Sequence, residues 1–130
     1  AAQQIIGYDS GSSSGPNAGK RFVMMAFYRP GGSTAQNATM SLIAQELGDT
    51  SSSGDWRVIA SDLFMDRWYK IRVDVDLPGE KYDVYVNDVL RANDVQASSW
   101  LLNLTHISFA TWNDGRGTFY VDNVNEYTIP

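Results

Sequence analysis

Few residues in this chain could carry acid–base chemistry. The glutamates are Glu46, Glu80 and Glu126, the lone histidine is His106, and there is no cysteine. One pair of carboxylates is brought together by spacing. If Asp76 stands opposite Lys81 across a turn, Asp74 faces Asp83 and Arg72 faces Tyr85. Retaining glycoside hydrolysis needs two carboxyls roughly 5 Å apart, one ionised and one protonated. Opposed carboxylates on a strand pair repel by only a fraction of a kcal/mol. Solvation, a reach from Arg72 or Lys70, or a bridging cation would each satisfy them. By alternation His106 shares a face with Ser108, Ala110 and Trp112, which suits a structural or surface role. The G-x-S-x-G, P-loop, G-x-G-x-x-G and H-E-x-x-H patterns are absent. Without cysteine there is no thiolate metal site. These residues predict a chain that is not an enzyme.

Binding chemistry is better represented. Aromatic faces stack on sugar C–H groups, while a few amides, carboxylates or arginines orient hydroxyls. Trp68, Arg72 and Tyr85 form such a set on one strand face, with Lys70 and Asn87 beside them. Trp112 and Asn113, at a strand end running into Asp114-Gly115-Arg116, form a second. Core filling is the competing role for Trp112. Trp56 alternates with Val58 and Ala60 and is expected in the core; Trp100 follows a polar stretch and lies on the surface or folds back as a plug. Asp9 would fall near Asp122 and Asn123 if the first and last strands paired antiparallel. Hard oxygen ligands at loop ends suit a structural Ca²⁺; a capping or bulge-filling Asp is the alternative.

The elements that position these residues are strands. Period-2 alternation dominates and no amphipathic helix is evident. Strands are expected over residues 3–8, 21–28, 39–45 and 56–61, with loops over 9–19 and 48–54. The segment 21–28 is apolar on both faces, as a covered central strand would be. Over 68–77, Tyr69, Ile71, Val73, Val75 and Leu77 share one face; Trp68, Lys70, Arg72, Asp74 and Asp76 share the other. Pro78-Gly79-Glu80 turns the chain into Tyr82, Val84 and Val86. Asn87-Asp88 reads as a two-residue hairpin loop into Val89-Leu90. Residues 104–112 and 118–129 are expected to pair last, with a bulge at Asp122-Asn123 restoring register. Many short strands with turns at this spacing predict an all-β antiparallel sandwich, of jelly-roll type, over the single domain 1–130.

The totals agree with that. The chain has 130 residues, 43% hydrophobic and 19% charged, a globular composition. Its net charge of −5 disfavours nucleic acid, whose phosphates call for a cationic surface. No apolar run approaches the ~20 residues of a membrane helix, so no membrane insertion is expected. Four tryptophans are many for a core of this size, which points to exposed aromatics.

The run Trp68-Tyr69-Lys70-Ile71-Arg72-Val73-Asp74-Val75-Asp76-Leu77, followed by Lys81-Tyr82-Asp83-Val84-Tyr85-Val86-Asn87-Asp88, resembles the hairpin of laminin-G-like, concanavalin A-like jelly rolls. Ile107-Ser108-Phe109-Ala110-Thr111-Trp112 and Gly117-Thr118-Phe119-Tyr120-Val121-Asp122-Asn123-Val124 resemble the ending of β-sandwich modules appended to polysaccharide-degrading enzymes. The resemblance covers roughly the C-terminal half. It implies a secreted, bacterial surface or periplasmic location, a polysaccharide or oligosaccharide ligand, a catalytic domain of the same parent protein as partner, and an ion near the C-terminal position. Hydrolases on this fold carry E-x-D-x-E strands, and lyases carry Q-I-H and Y-F-K-A-G segments; this chain has none of these. The expectation is a carbohydrate-binding accessory domain. The alternatives are a purely structural domain and a small lyase or hydrolase with catalytic residues outside these patterns.

Overall fold

In the computed structural model, residues 2–8, 21–28, 39–46, 55–65, 67–98, 104, 106–111 and 120–128 are described. They form strands β1 (Ala2–Tyr8), β2 (Arg21–Tyr28), β3 (Thr39–Glu46), β4 (Asp55–Phe64), β5 (Ile71–Asp76), β6 (Lys81–Val86), β7 (Val89–Gln96) and β8 (His106–Thr111). All pairings are antiparallel. A five-stranded sheet runs β4-β3-β2-β1-β8 and a three-stranded sheet runs β5-β6-β7. The all-β class read from the alternation is thus what the described residues form.

One core joins the two sheets. Phe22, Val23, Met25, Leu42, Ala44, Ile59 and Leu63 meet Tyr82, Val84, Val86, Ala92 and Val95. Tyr69, Ile71, Val73, Val75 and Leu77 pack against it half-buried, on the face the alternation assigned. β2 is buried through Phe22–Ala26 because it is the middle strand of its sheet. Polar ties back up the apolar contact. The Ser98 hydroxyl donates to Gln45 Oε1 at 3.2 Å, its N–H donates to the Phe22 carbonyl at 2.9 Å, and Arg91 pairs with Asp62 across the sheets.

Two expectations are corrected. Trp56 is not in the core: it is 37% exposed and Val58 is 58% exposed. Ile43 pairs with Val58 while Leu42 pairs with Ala60, so Ile59 is an extra residue in β4. That bulge shifts the side-chain phase. It buries Ile59 and Ala60 consecutively and leaves Trp56, opposite Gln45, on the outer face. Second, β8 pairs with β1 rather than with the C-terminal segment, and residues 120–128 carry no strand. Both edges of β1 are thereby taken, by β2 and β8, so the antiparallel first–last pairing is not formed by the described residues.

The tight hairpin at Asn87-Asp88 has the expected form. Val86 pairs with Val89, and Asn87 and Asp88 have φ of 50° and 66°. Positive φ at both positions is the primed turn whose twist matches flanking strands. Asn87 Oδ1 also accepts the Lys70 N–H at 2.9 Å, and the Asn87 N–H donates to the Lys70 carbonyl at 2.8 Å. Asn87→Ala should therefore destabilise the fold by about 1–2 kcal/mol, through the lost hydrogen bond and the left-handed backbone. Urea denaturation checks this; an unchanged midpoint would mean the clamp contributes nothing.

Candidate functional site

The outer face of the three-stranded sheet collects the polar residues of β5 and β6. Asp76 pairs with Lys81, Asp74 with Asp83 and Arg72 with Tyr85, the register read from the turn. The Arg72 guanidinium lies over the Tyr85 ring, 3.8 Å from its centroid. A cation at that distance is attracted by the ring's negative face. Leu90 of β7 pairs with Tyr85 from the other side, so Arg72, Tyr85 and Leu90 form one row across the sheet. Leu90 is 47% exposed. Sequence reasoning missed it; carrying the alternation through the two-residue turn would have found it.

The carboxylates on this face have separate structural duties. Arg72 Nη2 donates to Asp74 Oδ2 at 3.3 Å. Arg72 Nε lies 3.1 Å from Asp74 Oδ1 but out of line for a hydrogen bond. Burial works against the charged guanidinium, but the Asp74 charge and hydrogen bond outweigh it and raise its pKa. Asp83 Oδ1 accepts the Asp94 N–H at 2.8 Å, capping a bulge in β7 where Asp94 has φ of 53°. Asp74 and Asp83 are thus opposed in register yet each has its own partner.

The flanking charges are paired too. Lys70 Nζ reaches Asp88 at 2.8 Å, and that hydrogen bond, with the lysine charge, lowers the Asp88 pKa. Lys81 Nζ reaches Asp94 at 3.1 Å, and that hydrogen bond raises the Lys81 pKa.

Trp68 precedes β5 and is 68% exposed. Its neighbour Tyr69 turns to the core side, where its hydroxyl accepts the Phe64 N–H at 2.7 Å. Arg67 lies over the Phe64 ring at 4.4 Å. Asn87 is at the end of the same face, with its side-chain oxygen accepting the Lys70 N–H and its side-chain amide N–H groups not engaged by Lys70. Of the six sugar-site residues expected, the structure places Trp68, Arg72, Tyr85 and Asn87 on or beside one three-stranded sheet. Trp112 and Asn113 lie outside the described residues, as does Asp9.

Asp122 is exposed, and its Oδ1 accepts the N–H of Asn123 at 2.8 Å. Among the described residues no group of three or more His, Asp or Glu side chains could hold a metal ion. No described helix is long and apolar enough to cross a membrane.

The arrangement presents a guanidinium stacked on an aromatic ring with hydrogen-bonding side chains beside it. No protein-family model, no curated protein and no solved structure matches the chain.

Proposed function

We propose that this chain is a non-catalytic β-sandwich, of jelly-roll type, that binds a polysaccharide through the outer face of its three-stranded sheet. One observation carries the reading: Arg72 stacked on Tyr85 at 3.8 Å, with the exposed indole of Trp68 before the same strand. A stacked guanidinium has lost freedom before any ligand arrives, so less entropy is lost on binding. Arg72 keeps donor capacity beyond its one bond to Asp74. The separate duties of Asp74 and Asp83 favour binding over hydrolysis. On this reading the domain is secreted and holds glycan near a catalytic domain of the same parent protein.

The test is a glycan array on the whole chain with calcium present, followed by titration of the best hit. Affinity should be modest, about micromolar to millimolar. Trp68→Ala should lose roughly 1–3 kcal/mol of binding, about 5- to 150-fold, with little change in stability. Tyr85→Ala should lose a similar amount by removing the ring beneath Arg72. If no glycan binds at millimolar concentration, or if Trp68→Ala binds like the parent, the face is not a sugar platform. The structural-domain reading then takes its place.

A further inference from the structure

We infer that the open edge of β5 is an interface between two copies of this chain, paired antiparallel about Val73. Among the described residues β5 has one strand neighbour, β6, and stands at the end of its sheet. The Lys70 carbonyl accepts the Asn87 N–H, so the even-numbered residues of this strand point their backbone groups at β6. Alternation then turns the N–H and C=O of Ile71, Val73 and Val75 to the open side. Strand edges of this kind are templates for another chain, and proteins commonly blunt them with bulges. β4 is bulged and so is β7, but β5 runs in unbroken register from Ile71 to Asp76.

The charge order of the strand selects the partner. Read along the chain, the outer face carries Lys70 and Arg72 and then Asp74 and Asp76. Turned antiparallel on itself about Val73, this order is self-complementary. Lys70 falls opposite Asp76 of the second copy and Arg72 opposite its Asp74. Opposite charges directly across a strand pair are favourable; this register makes four such pairs, whereas a slip by one pair leaves two and sets Arg72 against Arg72 or Asp74 against Asp74 at the centre. The backbone parity agrees with that register. Val73 exchanges both hydrogen bonds with its own counterpart, and Ile71 exchanges them with Val75. These three side chains, half-buried in one copy, then form a continuous apolar strip across the seam. The contact is isologous and closes as a two-fold dimer, so it does not propagate into fibres.

This proposal does not depend on sugar binding, and the test reads mass alone. Sedimentation of the whole chain should show a concentration-dependent species of twice 14.4 kDa, half-formed in about the micromolar range and weakened by molar salt. Two variants dissect it. Lys70→Asp with Arg72→Asp makes the edge wholly acidic; Asp74→Lys with Asp76→Lys makes it wholly basic. Each should be monomeric where the parent is dimeric, and an equimolar mixture should regain the dimer. As a second measurement, Val73→Cys introduces a lone thiol into a cysteine-free chain. Hydrogen-bonded antiparallel residues lie about 5.5 Å apart at Cα, within disulfide reach. Val73→Cys should oxidise to a reducible covalent dimer, and Val75→Cys, opposite Ile71, should not. A parent that stays monomeric at all concentrations, charge variants that dimerise alone, or Val75→Cys cross-linking as well as Val73→Cys would each overturn the proposal.

Discussion

Val84→Asp is expected to leave the chain without a cooperative fold. Val84 is fully buried at the centre of β6, with Val73 on one side and Ala92 on the other. Among the described residues, none of its cross-strand or core neighbours carries a cation that could pair with a carboxylate there. Burying an unpaired charge raises its pKa or breaks the packing, and either outcome costs several kcal/mol. Domains of this size have only about 5–15 kcal/mol to lose. The matched control is Val89→Asp on the next strand, where the side chain is 57% exposed; it should change stability by less than about 0.5 kcal/mol. Val84→Ala, which removes volume without adding charge, should cost about 2 kcal/mol. Thermal unfolding followed by circular dichroism separates the three. A Val84→Asp variant melting within a few degrees of the parent would mean that the two sheets do not share this core.

The second large effect has the opposite sign. Tyr82 is 1% exposed, and its hydroxyl has no hydrogen-bond partner among the described residues. Its ring packs tilted against Phe22, with centroids 6.5 Å apart. A buried hydroxyl without a partner costs about 1–3 kcal/mol, so Tyr82→Phe should stabilise the protein at neutral pH by about 1 kcal/mol or more. The gap should widen in alkali. Burial first, and then the Glu46 carboxylate, push the phenol well above its ordinary 10.0, with Arg57 opposing. In the unfolded chain the phenol ionises near its ordinary value, while in the fold it keeps its proton. The folded state therefore binds more protons above pH 10, and stability falls there as pH rises. The slope approaches about 1.4 kcal/mol per pH unit for this one group. Tyr82→Phe lacks it, so denaturation midpoints of parent and variant should diverge from about pH 10 upward. A variant less stable than the parent at pH 7 would instead reveal a bound water holding the hydroxyl.

Much of the three-stranded sheet was legible in the chain itself. Tyr69 to Val75 alternate without a break, Pro78-Gly79-Glu80 can only turn, and Asn87-Asp88 tolerates positive φ. Local rules of that kind fix register, and register fixes which residues face each other. That is why Arg72 over Tyr85 and Asp74 against Asp83 follow from counting alone. The five-stranded sheet was legible only in part. Its β4 carries an extra residue at Ile59, and a bulge has no composition signal when the inserted residue is as apolar as its neighbours. Trp56 was misplaced for that reason. The pairing of β8 with β1 joins opposite ends of the sequence, and nothing local announces it. The candidate site shares this division. Its half on β5 and β6 was readable, whereas Leu90 needed the alternation carried across a turn.

The strand order β4-β3-β2-β1-β8 also fixes a sequence of events during synthesis. Of the described strands, β1 leaves the ribosome before the others and β8, which flanks it, after them. β2 can cover one edge of β1 early, but the other edge waits until β8 has emerged. Meanwhile β5, β6 and β7 are joined by short turns and can pair as they emerge, since local hairpins close quickly. The small sheet therefore has the means to form before the large one is complete. The core between them must wait for both, and a ribosome stalled before β8 would hold a nascent chain with an uncapped sheet edge, the form most exposed to chaperones and to neighbouring nascent chains.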